Sequence, residues 1–286
     1  MNKMAKKLQR MAIAYDFDGT LAPGNMQQHS FIPKLEIDSS EFWKEVKAIA
    51  KNNDMNEILA YMHLMLKKAN EKNIPITKKA FIDHGKGMVL FPGVAEYFKK
   101  INVYAKSKGL VIEHYIISSG LRDILIGTPI YKEFEMVFAS AYMYNVNDVA
   151  DWPALAVDYT NKTQFLFRIN KGIKNAWDNE SINKFMPEDE RPMPFERMIY
   201  LGDGETDIPA MKMIAFQGGK AVAVYNPDQR TKEGKKAKKV TQDLVLQGRA
   251  NFVAPADYKE GSSLYKIIQL SIDAISAEVE LKSYTK

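Results

Sequence analysis

Five short apolar runs, separated by long amphipathic stretches, constrain the fold of this sequence more than any other feature. They cover residues 11–15, 111–117, 136–139, 198–201 and 221–224. None alternates between polar and apolar residues, and this is typical of strands buried on both faces of a parallel sheet. Because helical patterns fill the intervals, the sequence predicts an α/β fold with a doubly wound parallel sheet.

The interval between the first two runs is far longer than one crossover helix requires. Residues 24–88 carry helical patterns of their own, including an apolar stripe that contains Ile58 and Met62. We expect this segment to form an inserted helical cap domain. Residues 1–23 and 89–286 would then form the α/β core domain.

Local signals place several helix ends. Asp54, followed three residues later by Glu57, predicts a capping box, and Thr77 predicts the N-cap of a short helix. Apolar residues at helical spacing predict a helix that begins near Thr163 and extends to Trp177.

Composition and charge exclude several classes of protein. The 286 residues include no cysteine, which removes disulfide frameworks, thiolate metal sites and cysteine nucleophiles. The net charge of +5 is mild, and the densest basic run, residues 230–239, has no aromatic residue. It is therefore interpreted as a solvated surface segment, and no nucleic-acid partner is expected. Without a signal-peptide core or a membrane-length apolar stretch, we expect a cytoplasmic protein with no membrane partner.

Two acidic loops follow predicted strands. Asp16 and Asp18 follow the first strand, and Asp203 and Asp207 follow the fourth. Ligands bind at the carboxyl ends of parallel strands, and clustered carboxylates there repel unless a proton or a cation lies among them. Oxygen ligands favour Mg²⁺, which pairs readily with phosphate oxygens. The sequence therefore predicts a magnesium site that acts on a small phosphorylated molecule.

A phosphate-binding segment and a fixed positive charge would complete such a site. Ser118, Ser119 and Gly120 end the second predicted strand and supply a hydroxyl and backbone amides for phosphate oxygens. Lys162 is the best placed cation, because it precedes the next helix, whereas Lys171 lies about two turns further along. Neither spacing nor neighbours decide fully between the two lysines.

Taken in order, these segments resemble the four motifs of the haloacid dehalogenase superfamily. The matching segments are the DFDGT sequence of residues 16–20, Ser118, Lys162 and the GDGETD sequence of residues 202–207. The insertion after the first motif resembles the helical cap of one branch of that superfamily. The resemblance implies a Rossmann-like core and phosphoric monoester hydrolase activity.

The resemblance also implies a role for each matched residue. Asp16 would attack phosphorus and form an aspartyl-phosphate. Asp18 would act as general acid on the leaving oxygen and then as general base on water, and its backbone carbonyl would contact the metal. Mg²⁺ would be held by Asp16, Asp18, Asp203 and Asp207, and the phosphoryl oxygens would be bound by Ser118, Ser119, Gly120 and Lys162.

Two alternatives to a phosphatase remain open. Because Asp18 is present, the resemblance favours phosphoester chemistry over phosphonate cleavage or dehalogenation. A phosphotransferase or phosphomutase would pass the phosphoryl group to a hydroxyl instead of water. A catalytically idle binding protein would keep only the fold. The sequence does not define the substrate or the oligomeric state.

Three further segments carry weaker patterns. Residues 26–31 follow the first motif and are predicted to face the leaving group. Residues 142–159 indicate either a hairpin or an extended excursion, and residues 263–282 indicate a helix.

Overall fold

The computed structural model describes residues 8–284, except residues 229 and 231. Within this range, the side chains of residues 205, 232–234, 236 and 237 are not described. The basic N-terminal residues before residue 8 and part of the predicted surface run 230–239 lie outside the described residues. Of that run, Arg230 forms an ion pair with Asp228.

A seven-stranded sheet forms the centre of the fold, in the order β4-β3-β2-β1-β5-β6-β7. All neighbouring strands are parallel except β3 and β4, which form an antiparallel hairpin. The strands are β1 (Gln9–Tyr15), β2 (Leu110–Leu121), β3 (Met136–Tyr144), β4 (Ala150–Leu155), β5 (Met198–Gly202), β6 (Lys220–Tyr225) and β7 (Phe252–Pro255). The predicted α/β fold class is confirmed, and the hairpin is one of the two structures expected for residues 142–159.

Eleven helices accompany the sheet in the described part of the chain. They are α1 (Met26–Lys34), α2 (Ser39–Asn52), α3 (Glu57–Glu71), α4 (Lys78–Gly85), α5 (Val94–Ser107), α6 (Arg122–Ile126), α7 (Lys162–Lys171), α8 (Asn179–Asn183), α9 (Ile208–Phe216), α10 (Lys232–Leu246) and α11 (Ser263–Ser283). None of these helices combines the length and apolar character that a membrane crossing requires.

Helices cover both faces of the sheet because alternate residues of each central strand point in opposite directions. In β1, Ile13 packs in a cluster with α5 and α11, whereas Ala14 packs in a second cluster with α7 and α9. This two-sided burial explains why the strand runs are apolar without alternation.

Helices α1 to α4 lie between β1 and β2 and pack against the rest of the fold through the larger apolar cluster. The predicted stripe of α3 is buried, with Met62 and Met65 fully inaccessible to solvent. Thr77 is the N-cap of α4, as predicted, because its hydroxyl accepts a hydrogen bond from Ala80 N at 3.2 Å.

Two predicted helix ends are wrong. The helix begun near Thr163 ends at Lys171 and does not reach Trp177, because Gly172 adopts φ +72° and terminates it. The capping box at Asp54 does not form. Asn56 caps α3 instead, since its side chain accepts hydrogen bonds from two backbone N–H groups of the first turn.

A buried histidine beside β1 predicts acid sensitivity. His114 is 2% exposed, with Nδ1 3.0 Å from Tyr15 Oη and Nε2 3.0 Å from Asn102 Oδ1. Burial lowers its pKa to about 3. Below the unfolded pKa of about 6.5, the unfolded chain binds more protons at this residue. We therefore expect the free energy of unfolding to fall as the pH is lowered from 6.5 to 3. The contribution of His114 to this loss is on the order of 1.4 kcal/mol per pH unit.

Melting temperatures at pH 7 and pH 5 check this prediction. The variant His114→Gln keeps hydrogen-bonding groups but has no proton to gain, so its melting temperature should fall less than that of wild type. His63→Gln is the matched control, because His63 is exposed on α3. An equal decrease in melting temperature from pH 7 to pH 5 for wild type and His114→Gln would contradict the prediction.

Candidate active site

The carboxyl ends of three neighbouring strands form one cleft. Strand β1 lies between β2 and β5. The acidic segments follow β1 and β5, and Ser118, Ser119 and Gly120 lie in the last part of β2. The resulting cleft has a volume of about 620 Å³. The predicted site residues that line it are Asp16, Asp18, Ser118, Ser119, Gly120, Lys162 and Asp203.

Three carboxylates approach one another at the base of this cleft. Asp16, Asp203 and Asp207 each offer an oxygen, and these oxygens lie within 4.8 Å of one another. Asp207 is fully buried and lies below the cleft surface. Its Oδ1 accepts a hydrogen bond from Tyr200 Oη at 2.6 Å, and its Oδ2 accepts one from the backbone N–H of Asp203 at 3.2 Å. Asp207 thereby fixes the loop that carries Asp203.

Lys162 lies among these carboxylates. Its side chain is 1% exposed, and Nζ lies 2.8 Å from Asp16 Oδ1 and 2.7 Å from Asp207 Oδ1. The first turn of α7 therefore points this ammonium group into the site. Lys171 Nζ instead donates to two backbone carbonyl oxygens in the segment 182–184. The geometry brings Lys162, and not Lys171, to the acidic cluster.

The pKa values show that negative charge is crowded here. Burial raises the pKa of Asp16 to about 7; the charge of Asp207 adds to this, and Lys162 opposes it. Burial, reinforced by the charge of Asp16, raises the pKa of Asp18 and of Asp203 well above the usual range. Burial alone would lower the pKa of Lys162, but Asp16 and Asp207 outweigh it and raise that pKa. A further cation would therefore be stabilised at this position.

The loop after β1 is shaped for close approach to Asp203. Gly19 adopts φ +73°, and a Cβ atom on it would lie 1.9 Å from Asp203 Oδ2. Only glycine satisfies both conditions without displacing that carboxylate. In the same loop, Asp18 Oδ1 accepts a hydrogen bond from Met26 N at 2.9 Å, which orients its carboxyl group at the start of α1.

The end of β2 supplies hydroxyl groups to the cleft. Ser118 is buried, and its Oγ accepts a hydrogen bond from Gly120 N at 3.0 Å, which leaves the hydroxyl proton available for another acceptor. The Gly120 amide is therefore occupied in orienting Ser118. Ser119 Oγ is buried without a hydrogen-bond partner in the described part of the chain.

The segment 26–31 divides between cleft and core. Gln27 lines the cleft, whereas Phe31 is buried against Phe81, with ring centroids 5.7 Å apart. The prediction that this segment faces the leaving group is therefore wrong for Phe31.

Sequence reasoning missed several residues of the site. Tyr200 supports Asp207 from within an apolar strand, where nothing in the pattern distinguishes it. Tyr61 Oη donates to the backbone carbonyl of Ser119 at 2.6 Å and so joins α3 to the end of β2. Trp43 of α2 lines the cleft as well. A helical wheel groups Trp43 with the apolar face of α2, but it does not indicate a cleft.

Comparison with known proteins gives one similar sequence and several similar structures. No protein-family model matches the chain. It is 29% identical over 289 residues to an uncharacterized protein of Borreliella burgdorferi, covering 92% of this chain and 96% of that protein.

Similarity to solved structures defines the fold. A phosphoserine phosphatase, solved as an analogue of its phospho-aspartyl intermediate, aligns with a TM-score of 0.53 and 15% identity, over 92% of this chain and 99% of that chain. A HAD family hydrolase from Salmonella enterica serovar Typhi aligns with a TM-score of 0.50 and 18% identity, over 76% of this chain. The aligned part spans 63% of that hydrolase, less than two thirds of its length. The chain has the haloacid dehalogenase-like fold, as the motif resemblance implied.

Proposed function

We propose that this protein is a Mg²⁺-dependent phosphatase that hydrolyses a phosphomonoester of a small or medium molecule through an aspartyl-phosphate on Asp16. The observation that carries the proposal is the cluster of Asp16, Asp203, Asp207 and Lys162 at the base of the cleft that Ser118 also lines. The phospho-aspartyl state named for the similar phosphoserine phosphatase supports an aspartate nucleophile on this fold.

The donor set at the base of the cleft fits Mg²⁺. It consists of carboxylate oxygens, which are hard ligands of the kind this ion prefers, and they lie close enough to share one cation. Asp16, the backbone carbonyl of Asp18 and Asp203 would hold the ion, with Asp207 as a further ligand or as the residue that orients the others. When bound, the ion would neutralise negative charge on the phosphoryl oxygens.

The chain's own groups supply the remaining chemistry. Asp16 attacks phosphorus as the bond from phosphorus to the leaving oxygen breaks, and Asp18, whose raised pKa favours the protonated form, donates a proton to that oxygen. Water then forms a bond to phosphorus as the bond to Asp16 breaks, and Asp18 accepts the proton from water. Lys162 and Ser118 hold the phosphoryl oxygens during both steps.

The helices between β1 and β2 are proposed to act as a cap. We assign residues 24–88 to this cap and residues 1–23 and 89–286 to the core, because the cleft is lined by residues of both parts. Closure over the cleft would exclude bulk water from the phosphoryl group, and residues of the cap would contact the leaving group.

Phosphate release from p-nitrophenyl phosphate tests the proposed function. We expect release that requires Mg²⁺ and stops when the ion is chelated. Isomerised sugar phosphate without phosphate release would assign a phosphomutase reaction instead. No turnover together with an unchanged melting temperature on Mg²⁺ addition would favour an idle binding protein.

A pair of glycine variants tests whether the position of Asp203 matters for activity. Gly19→Ala should displace Asp203 and reduce phosphate release by about 10²-fold, the usual cost of misplacing a catalytic group by about 1 Å. Gly87→Ala is the matched control, because Gly87 also has a positive φ, +71°, but a Cβ there meets no atom within 4 Å. Equal activities of the two purified variants would contradict the prediction.

A further inference from the structure

A buried acceptor without a partner lies on the cap side of the cleft. Gln27 is 2% exposed and lines the cleft, and its Oε1 has no hydrogen-bond partner in the described part of the chain. This side-chain carbonyl oxygen is therefore an acceptor that a ligand could satisfy.

A second unpartnered group belongs to the same cleft. Ser119 lines the cleft, and its Oγ is buried without a hydrogen-bond partner in the described part of the chain. Buried polar atoms are rarely left unpaired in folded proteins, so these two oxygens indicate groups that a ligand would satisfy. Both residues line the same cleft as Ser118, the residue proposed to bind the phosphoryl group, and Ser119 follows Ser118 directly in the chain. The leaving group should therefore carry hydroxyl or amino donors close to its phosphoester.

Aromatic residues also line the cleft, among them Trp43 and Tyr159. Trp43 is held edge-on against Phe42 and Tyr61, with ring centroids 5.4 and 5.9 Å apart, so its orientation is fixed. Tyr159, in the loop before α7, also lines the cleft and exposes 41% of its surface. Held aromatic rings of this kind favour stacking with a planar ring.

The charges on the cleft indicate a single phosphate group. Of the described residues that line it, Lys47 is the only cation besides Lys162, and Lys47 is exposed. A second phosphate would have no buried cation to bind. The volume of about 620 Å³ lies in the ordinary range of small-molecule sites, so it leaves room for more than a phosphate group.

We propose that the substrate is a nucleoside monophosphate, whose sugar hydroxyls donate to Gln27 Oε1 and contact Ser119 Oγ, and whose base stacks against Trp43 and Tyr159. This inference rests on the proposed phosphatase function and specifies its leaving group.

A substrate panel with wild-type protein tests the inference. Adenosine 5′-monophosphate and ribose 5-phosphate share the phosphoester and the hydroxyls at positions 2 and 3 of the pentose, and only the former has a base. We expect kcat/KM for adenosine 5′-monophosphate to exceed that for ribose 5-phosphate by about 10-fold or more, as a stacked base provides. Equal or better turnover of ribose 5-phosphate, glycerol 3-phosphate or phosphoserine would overturn the inference while leaving a Mg²⁺-dependent phosphatase. The absence of phosphate release from every substrate would instead refute the proposed function.

Substitutions test the base-stacking contact and the sugar-hydroxyl contact separately. Trp43→Leu, and independently Tyr159→Leu, should bring the ratio of kcat/KM for adenosine 5′-monophosphate to ribose 5-phosphate close to one.

Gln27→Leu removes the acceptor and should lower turnover of both substrates relative to p-nitrophenyl phosphate, which has a ring but no sugar hydroxyl. Trp152→Leu is the control, because Trp152 is 68% exposed on β4 outside the cleft. A ratio in both aromatic variants equal to that of the Trp152→Leu control would overturn the stacking role.

Discussion

Asp16→Asn should reduce Mg²⁺-dependent phosphate release by about 10⁴-fold or more, the scale of loss when a covalent nucleophile is removed. An amide has nearly the same shape as the carboxylate, but it neither attacks phosphorus effectively nor contributes negative charge toward Mg²⁺. The variant also loses the ion pair between position 16 and Lys162, whose Nζ lies 2.8 Å from the Asp16 carboxylate in the wild-type protein. The measurement is kcat/KM for p-nitrophenyl phosphate at saturating Mg²⁺.

Asp151→Asn is the matched control for this variant. Asp151 is exposed on β4 and does not line the cleft, so the same chemical change there should leave phosphate release at the wild-type rate. Activity in Asp16→Asn comparable with that of Asp151→Asn would exclude Asp16 as nucleophile, whatever the role of the other carboxylates.

Lys162→Met is expected to produce the largest loss of stability. Its ammonium group bonds to Asp16 and Asp207, and its removal leaves two buried carboxyl groups without that partner. Breaking a buried pair by removing one member costs about 3–5 kcal/mol. We expect a decrease of this size in the free energy of unfolding when Mg²⁺ is chelated. Added Mg²⁺ should restore part of it, because the ion supplies positive charge to the same carboxylates.

Lys171→Met controls for the loss of a lysine from the same helix. Lys171 bonds to backbone carbonyl oxygens and does not line the cleft. Urea unfolding of both variants, with and without Mg²⁺, gives the comparison. If Lys162→Met were as stable as Lys171→Met in chelator, the buried ion pairs would not stabilise the fold as described.

The acidic cluster of the candidate site could be predicted from the sequence because the topology of a parallel sheet determines where its loops meet. Asp16 follows β1, Asp203 follows β5 and Ser118 lies in the last part of β2, and the carboxyl ends of these strands adjoin in the order β2-β1-β5. The choice between Lys162 and Lys171 could not be made from spacing. It depends on α7 beginning at Lys162, which directs this side chain back toward β1.

The part of the cleft that helices α1 to α3 line was not predictable from the sequence. The apolar stripe of α3 identifies the buried face of that helix, but it does not show that Tyr61 at its edge reaches Ser119. Likewise, Gln27 follows the first motif as an ordinary polar residue. It reaches the cleft because α1 packs against the end of β2, where Met26 lies against Gly120. Such contacts join distant parts of the chain and leave no periodic pattern.

Rapid acid quenching followed by peptide mass spectrometry tests the central role of Asp16 most directly. Protein in excess over a phosphomonoester substrate is mixed with Mg²⁺, quenched within one turnover and digested under acidic conditions, which preserve an acyl phosphate. We expect one added phosphoryl group on the peptide that contains Asp16 and none in the Asp16→Asn variant. Phosphate released at the wild-type rate with the phosphoryl group on another residue would contradict the proposed mechanism.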